Sequence, residues 1–247
     1  MAIGTDPGTF VDWRYRARDN RFGRFARQIR HAGGLVVPAH PHATCIGCNW
    51  KFGFGEADAV EVWNGPWTPD DEVALADWDS MLVASVRDGR DWIPAMGGSD
   101  AHRDPDIVGL PQTVVLADDL SRAAVQDGIR AGRSYVAESA ALSSPSPRPA
   151  AAVNTPVSAS GCGWTRTPRH RLPVGHRRPR HTVRFVTDQG VLHTAGPLPE
   201  SGAGVVEWRT TPSYAAYVRA EVRHEATAAP LPGALAGFTN PVFLGRR

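Results

Sequence analysis

The chain has 247 residues, with 27 basic and 25 acidic side chains and a net charge of +2, enough length for one barrel-sized domain or a compact domain with a small addition. Seven arginines lie between Arg148 and Arg180, and without them 20 basic residues face 25 acidic ones, a net of −5, so the charge balance does not predict a nucleic-acid face. No apolar run approaches the roughly 20 residues that a membrane-spanning helix needs, and Met1 to Phe10 lacks the charged and then apolar pattern of a secretory signal. As it stands, the sequence reads as soluble and cytoplasmic.

In chain order, Phe22, Phe25, Ala26 and Ile29 recur at spacings of three and four, which predicts an amphipathic helix over Arg21 to His31 stopped by Gly33 and Gly34. Leu35 to Ala39 then reads as a short buried strand ending at His40. The unit recurs as a strand over Ala57 to Trp63, a helix over Pro69 to Arg87 and a strand over Trp92 to Met96. It recurs again as a strand over Thr113 to Leu116, a helix over Ser121 to Ala131 with Ser121 as N-cap, and a strand over Ser134 to Val136. Such alternation implies a parallel sheet or a β/α barrel, in which functional residues sit where strands end.

From Ser143 to His181 the pattern stops. This stretch holds seven prolines and seven arginines, and no Asp or Glu occurs from Ser139 to Thr187, so no secondary structure is predicted. In GC-rich coding DNA an out-of-frame reading yields this mix, which makes a frame-shifted segment one expectation and an ordinary linker the other. His170, His176 and His181 read as solvated. Beyond it, Thr182 to Thr187, Val205 to Thr210 and Tyr217 to Arg223 read as antiparallel strands of a small β appendage.

The most chemical run is Gly97-Gly98-Ser99-Asp100-Ala101-His102 after an apolar strand. A carboxylate and an imidazole two residues apart at a strand end can point into one pocket and suit zinc, manganese or iron(II). A Gly-rich turn with a surface histidine explains the same run equally well. His40-Pro41-His42 also follows a buried strand, and histidines from two strand ends beside Asp100 favour a metal. Cys45 and Cys48 are expected as reduced loop thiols, with a four-ligand zinc site of His40, His42, Cys45 and Cys48 as the competing reading. Trp63 and Trp67 are core residues by expectation, or walls of a substrate pocket.

Val36 to Pro41, Val60 to Asn64, Gly97 to His102 and Gly132 to Val136, with the endings Tyr217 to Glu221 and Thr239 to Leu244, together resemble the later motifs of PHP-domain (polymerase and histidinol phosphatase) proteins, in particular the CehA/McbA-type branch of metallohydrolases. The resemblance spans about residues 9 to 142 and 182 to 245. It implies an α/β fold: a partial PHP-type distorted β/α barrel over 1–142, an irregular linker over 143–181, and a small antiparallel β region over 182–247. It matches His40, Asp100 and His102 to metal ligands, with Asp100 and His102 at the catalytic centre. His42 is a further candidate without a counterpart in the family, and Glu61 and Asn64 shape the pocket. The implied cofactors are divalent metal ions (Zn, Mn or Fe), the substrate a small ester, carbamate or phosphoester, and no nucleic acid or membrane partner is expected. PHP proteins open with a His-x-His strand end, and no histidine precedes Arg21, so the resemblance also implies an N-terminally truncated barrel. The implied activity is metal-dependent hydrolysis of such bonds, and the alternative is a remnant that has lost activity with the early ligands and binds a ligand or partner.

Overall fold

The computed structural model describes residues 1–11, 21–45, 47–139, 142–143, 163–166, 181–195, 203–206, 208–226 and 233–245. The first strand, β1 (Ala2–Ile3), pairs antiparallel with β2 (Leu35–Val36), and α1 (Phe22–His31) lies between them in sequence, burying Ala26 and Ile29. Arg30 on α1 donates through Nε to both carboxylate oxygens of Asp58 at 3.1 and 3.2 Å, fastening the helix to the segment that leads into β3 (Val60–Asn64).

The longest helix, α2 (Pro69–Asp88), has chemically defined ends. Thr68 precedes Pro69, and its backbone N–H donates to Asp71 Oδ2 at 2.7 Å, while Gly89 ends the helix in the left-handed conformation at φ 63°. Ala74, Leu75, Trp78 and Leu82 form one buried stripe that packs with Val60, Val62 and Trp63 of β3. The chain returns as β4 (Ala95–Gly98), parallel to β3, with Asn64 opposite Gly98.

Next come β5 (Gln112–Val115), α3 (Arg122–Arg130) and β6 (Ser134–Ala137). Ser121 caps α3 by accepting from the Ala124 N–H at 3.2 Å, as its position predicts. The pairing of β5 with β6 is antiparallel, which corrects the parallel arrangement expected from strand and helix alternation. Among the described residues β3 and β4 are the parallel pair, the other pairings are antiparallel, and no sheet closes into a barrel.

Two short strands, β7 (Leu142–Ser143), which reaches the start of the stretch for which no secondary structure was expected, and β8 (Gly163–Arg166), which lies within it, are described; the rest of that stretch up to residue 180, and the frame-shift question with it, falls outside the described residues. Then follow β9 (His181–Thr187), β10 (Gly190–Ala195), β11 (Ala203–Val205), β12 (Tyr217–His224), β13 (Leu235–Thr239) and β14 (Val242–Phe243). A small sheet joins β11, β8 and β7. The large one runs β10-β9-β12-β13-β6-β5, with β14 also on β12. Because β13 pairs with β6, the boundary expected at 142 does not separate two sheets: the C-terminal strands extend the one that β5 and β6 begin. Among the described residues, no helix is long and apolar enough to cross a membrane.

The two faces of β12 differ. Val218, Ala220 and Val222 pack with Val183 and Phe185, while Arg219, Glu221 and Arg223 alternate with them, all buried. Arg219 ion-pairs with Asp79 of α2 and, at 2.7 Å, with Glu221; Arg223 holds Glu221 at 2.8 Å and Glu72 of α2 at 3.1 Å. Burial alone would raise the Glu221 carboxyl, but the Arg219 and Arg223 guanidiniums outweigh it and hold the group below the ordinary carboxylate range. Removing Glu221 takes one carboxylate partner from each of two buried guanidiniums, leaving Arg219 with Asp79 and Arg223 with Glu72. Glu221→Ala is therefore expected to destabilise the fold by about 1–3 kcal/mol, measured by urea denaturation at neutral pH.

Candidate metal site at the ends of two parallel strands

The register of β3 and β4 brings two of the motifs to one edge. Asn64 ends β3 opposite Gly98, the Gly65 N–H donates to the Gly98 carbonyl at 2.9 Å, and the chain beyond Gly98 continues into Ser99, Asp100 and His102. A side chain at Gly97 would strike Val136 Cγ1 at 2.5 Å, and one at Gly98 would come within 3.0 Å of Glu61 Oε1. The double glycine thus gives close approach to β6 and leaves room for a carboxylate.

That carboxylate is the centre of the site. Glu61 is 3% exposed, a carboxylate buried within β3. Its Oε2 accepts from the His40 backbone N–H at 2.9 Å and from Asn64 Nδ2 at 3.1 Å. Burial raises the Glu61 carboxyl above its ordinary value, the hydrogen bonds from His40 and Asn64 pull it down, and nearby Asp100 pushes it up further. The pocket-shaping role expected of Glu61 and Asn64 thus has a geometric basis.

His40 is half-buried at φ 31°, and its Nδ1 is enclosed without a hydrogen-bond partner. Asp100 has φ 52°. Among the described residues these are the non-glycine positions with positive φ, and both are nominated as ligands by the sequence. Conformations of this kind cost of order 1–3 kcal/mol and concentrate where function requires them. The Asp100 and His102 side chains are 44% and 74% exposed and 3.7 Å apart, and His102 Nδ1 lies 2.6 Å from the Asp100 carbonyl oxygen. The backbone N–H groups of His102 and Arg103 both donate to Asp106 Oδ2, at 2.9 and 3.0 Å, closing the loop.

His42 is turned to α2, its Nε2 3.0 Å from Asp77 Oδ2. With His40, Glu61 and Asp71 it lines a cleft of about 40 Å³, room for an ion or a few waters. The structure therefore brings His40 and Glu61 together, and Asp100 and His102 together. It does not bring the donor atoms of His40, Asp100 and His102 within 4.8 Å of one another, a spacing that among the described residues is met by Glu138, His181 and His224.

Cys45 and Cys48 form a disulfide with Cα atoms 5.3 Å apart, which corrects the expectation of reduced thiols and removes the thiolates from a zinc site with His40 and His42. Trp63 is core: its ring meets Trp67 edge-on at 5.0 Å and its Nε1 donates to the Gly65 carbonyl at 2.9 Å. His181, expected to be solvated, is half-buried in β9. Sequence reading passed over Glu138 and His224, because their proximity depends on strand pairing between segments far apart in the chain. Comparison with protein-family models, with curated proteins and with solved structures finds no match.

Two outcomes follow from strain and burial. Asp100→Gly removes the Cβ that the left-handed conformation penalises, so its stability is expected to be unchanged or up by as much as about 1 kcal/mol, whereas Asp100→Ala keeps the strain and loses about 1 kcal/mol; thermal denaturation of both variants checks this. Glu61 holds its proton longer folded than unfolded, so its contribution to stability is full below the ordinary value of 4.5 and is lost as pH rises through the raised folded value. In chelator, denaturation across that window is expected to show wild type losing stability relative to Glu61→Gln as pH rises.

Proposed function

We propose that the chain carries part of the metal-binding set of a hydrolase acting on phosphoester, ester or carbamate bonds, of the PHP class that its motifs resemble, within a partial barrel of that class. The observation that carries this reading is the coincidence of backbone strain with donor chemistry at His40 and Asp100. A fold selected only for stability has no reason to keep a histidine and an aspartate in left-handed conformations, one with its N–H on Glu61 and the other two residues past β4.

The donor set fits a divalent ion in kind: an imidazole nitrogen enclosed without a partner at His40, a carboxylate at Asp100 and a second imidazole at His102. Glu61 orients the His40 backbone from behind, and Asn64 fixes the Glu61 carboxylate. His42, engaged by Asp77, is the least available of the four candidates. A bound divalent ion would supply a water that ionises near neutral pH. The chain's own part is to hold the ion at the strand ends and to keep a carboxylate and an amide behind it.

A second reading, metal or ligand binding without turnover, is favoured by the exposure of Asp100 and His102 and by the wide spacing of the three donor groups. Turnover separates the two. Protein supplied with Mn²⁺ or Zn²⁺ is expected to hydrolyse p-nitrophenyl phosphate or p-nitrophenyl acetate in a metal-dependent manner, with loss of ~100-fold or more in Asp100→Ala. Metal uptake by wild type that Asp100→Ala abolishes, with no hydrolysis of either ester, would establish the binding reading instead.

A further inference from the structure

Away from the ends of β3 and β4, the large sheet carries a second group of donor atoms. His224, at the end of β12, lies directly opposite His181 on β9, and the two imidazoles sit with ring centres 4.7 Å apart. Glu138 follows β6, two strands away across β13, and its Oε2 reaches His224 Nε2 at 2.7 Å. One donor atom from each of the three residues lies within 4.8 Å of the others. His224 and Glu138 are 28% and 34% exposed, so the group is accessible to an ion and yet partly withdrawn from water.

The backbone explains why these three residues meet. In β13, Gly237 faces both Val222 and Ala137, and the next position paired with β12 is Leu235, opposite Arg223. Ala236 is thus the extra residue of a bulge on the β12 side, while on the β6 side its carbonyl accepts the Glu138 N–H at 2.9 Å. Bulges bend a strand and redirect neighbouring side chains, and they recur beside functional sites. The strand between the carboxylate and the imidazoles contributes Ala234 and Ala236 at this point, so no large side chain stands between them.

We infer that Glu138, His181 and His224 form a binding site for a divalent transition-metal ion of the zinc class, separate from the strand-end site at His40 and Asp100. Two imidazoles and one carboxylate match the ligand types that zinc takes with nitrogen and oxygen donors, and three protein ligands leave a fourth position for water. Donors around a tetrahedral zinc sit about 3.4 Å apart, so an ion would lengthen the 2.7 Å contact between His224 and Glu138 and take a His181 donor atom that lies within 4.8 Å of both. A simple carboxylate–histidine pair accounts for that contact alone. It does not account for a second imidazole placed opposite His224. The ion would tie together β6, β9 and β12, which are not all neighbours in the sheet.

The test uses the full chain, free of affinity tags, stripped with chelator and kept without reductant so that Cys45 and Cys48 stay paired. His40→Ala/Asp100→Ala/His102→Ala removes the strand-end donors, and zinc is titrated into this variant by calorimetry, with Co²⁺ absorption as a coordination signature. One equivalent of zinc is expected to bind. Adding His224→Ala or Glu138→Gln should weaken it at least ~100-fold, beyond the 10–100-fold typical of residues that merely orient a ligand. No zinc binding to the triple variant, or binding that His224→Ala and Glu138→Gln leave unchanged, overturns the site. Should the triple variant fail to fold, His224→Ala in the otherwise wild-type chain decides: loss of one zinc equivalent, and of the zinc-induced rise in melting temperature, supports the site, and retention of both refutes it.

Discussion

The row of Arg219, Glu221 and Arg223 on β12, facing Asp79 and Glu72 of α2, sets how the longest helix lies on the large sheet. The charges sit at every second residue of a strand and at positions two turns apart on a helix, so both periodicities present them face to face. Trp78 fills the space between, with Arg219 over its ring at 5.4 Å and Phe238 at 5.8 Å. An apolar surface would have let α2 slide along the sheet at small cost. Paired buried charges do not, because any shift by one residue strands a guanidinium, and their contribution here is to register more than to net stability.

From that fixed helix the constraint passes to the strand ends. Asp71 in the first turn of α2 accepts the Asn64 N–H at 3.0 Å, Asn64 holds Glu61, and Glu61 holds the backbone of His40. The other side of the site is fixed from the sheet. Asn240 accepts the Ala95 N–H at 2.8 Å and donates to Ser134 Oγ at 2.9 Å, while Thr113 Oγ1 accepts the Gly97 N–H at 2.9 Å. These polar groups are satisfied inside the core, so they specify where β4 ends rather than loosening it. His40 therefore starts from a rigid frame, and the loop of Asp100 and His102 leaves one for solvent.

The helices and the strands β2 to β6 were legible because their signals are local. Apolar spacing marks α2 to within a residue of its ends, and Ser121 marks α3. Strand partners were not legible. Alternation of strands and helices suggested parallel neighbours, but β5 and β6 pair antiparallel and β6 then takes β13, about 100 residues later, a choice written in no local pattern. The same limit hid His181 opposite His224. The burial of residues 219, 221 and 223 was not legible either, since a sequence does not show that a helix will cover one face of a strand with carboxylates of its own.

At the candidate sites the limit has a different form. Sequence nominated His40 and Asp100 through donor chemistry at strand ends, and their left-handed backbone is an independent reason to single them out, because strain is invisible to composition and spacing alike. Glu138, His181 and His224 present the opposite case, with unstrained backbone and donors assembled by a bulge and a cross-strand pair. In the first, the chain is held in a conformation that opposes its own preference by a buried carboxylate bonded to the His40 N–H. In the second, ordinary sheet geometry does the positioning. A donor group that costs backbone energy to hold is hard to explain without a ligand, whereas one that costs nothing is explained by its sheet and needs a bound ion to prove it.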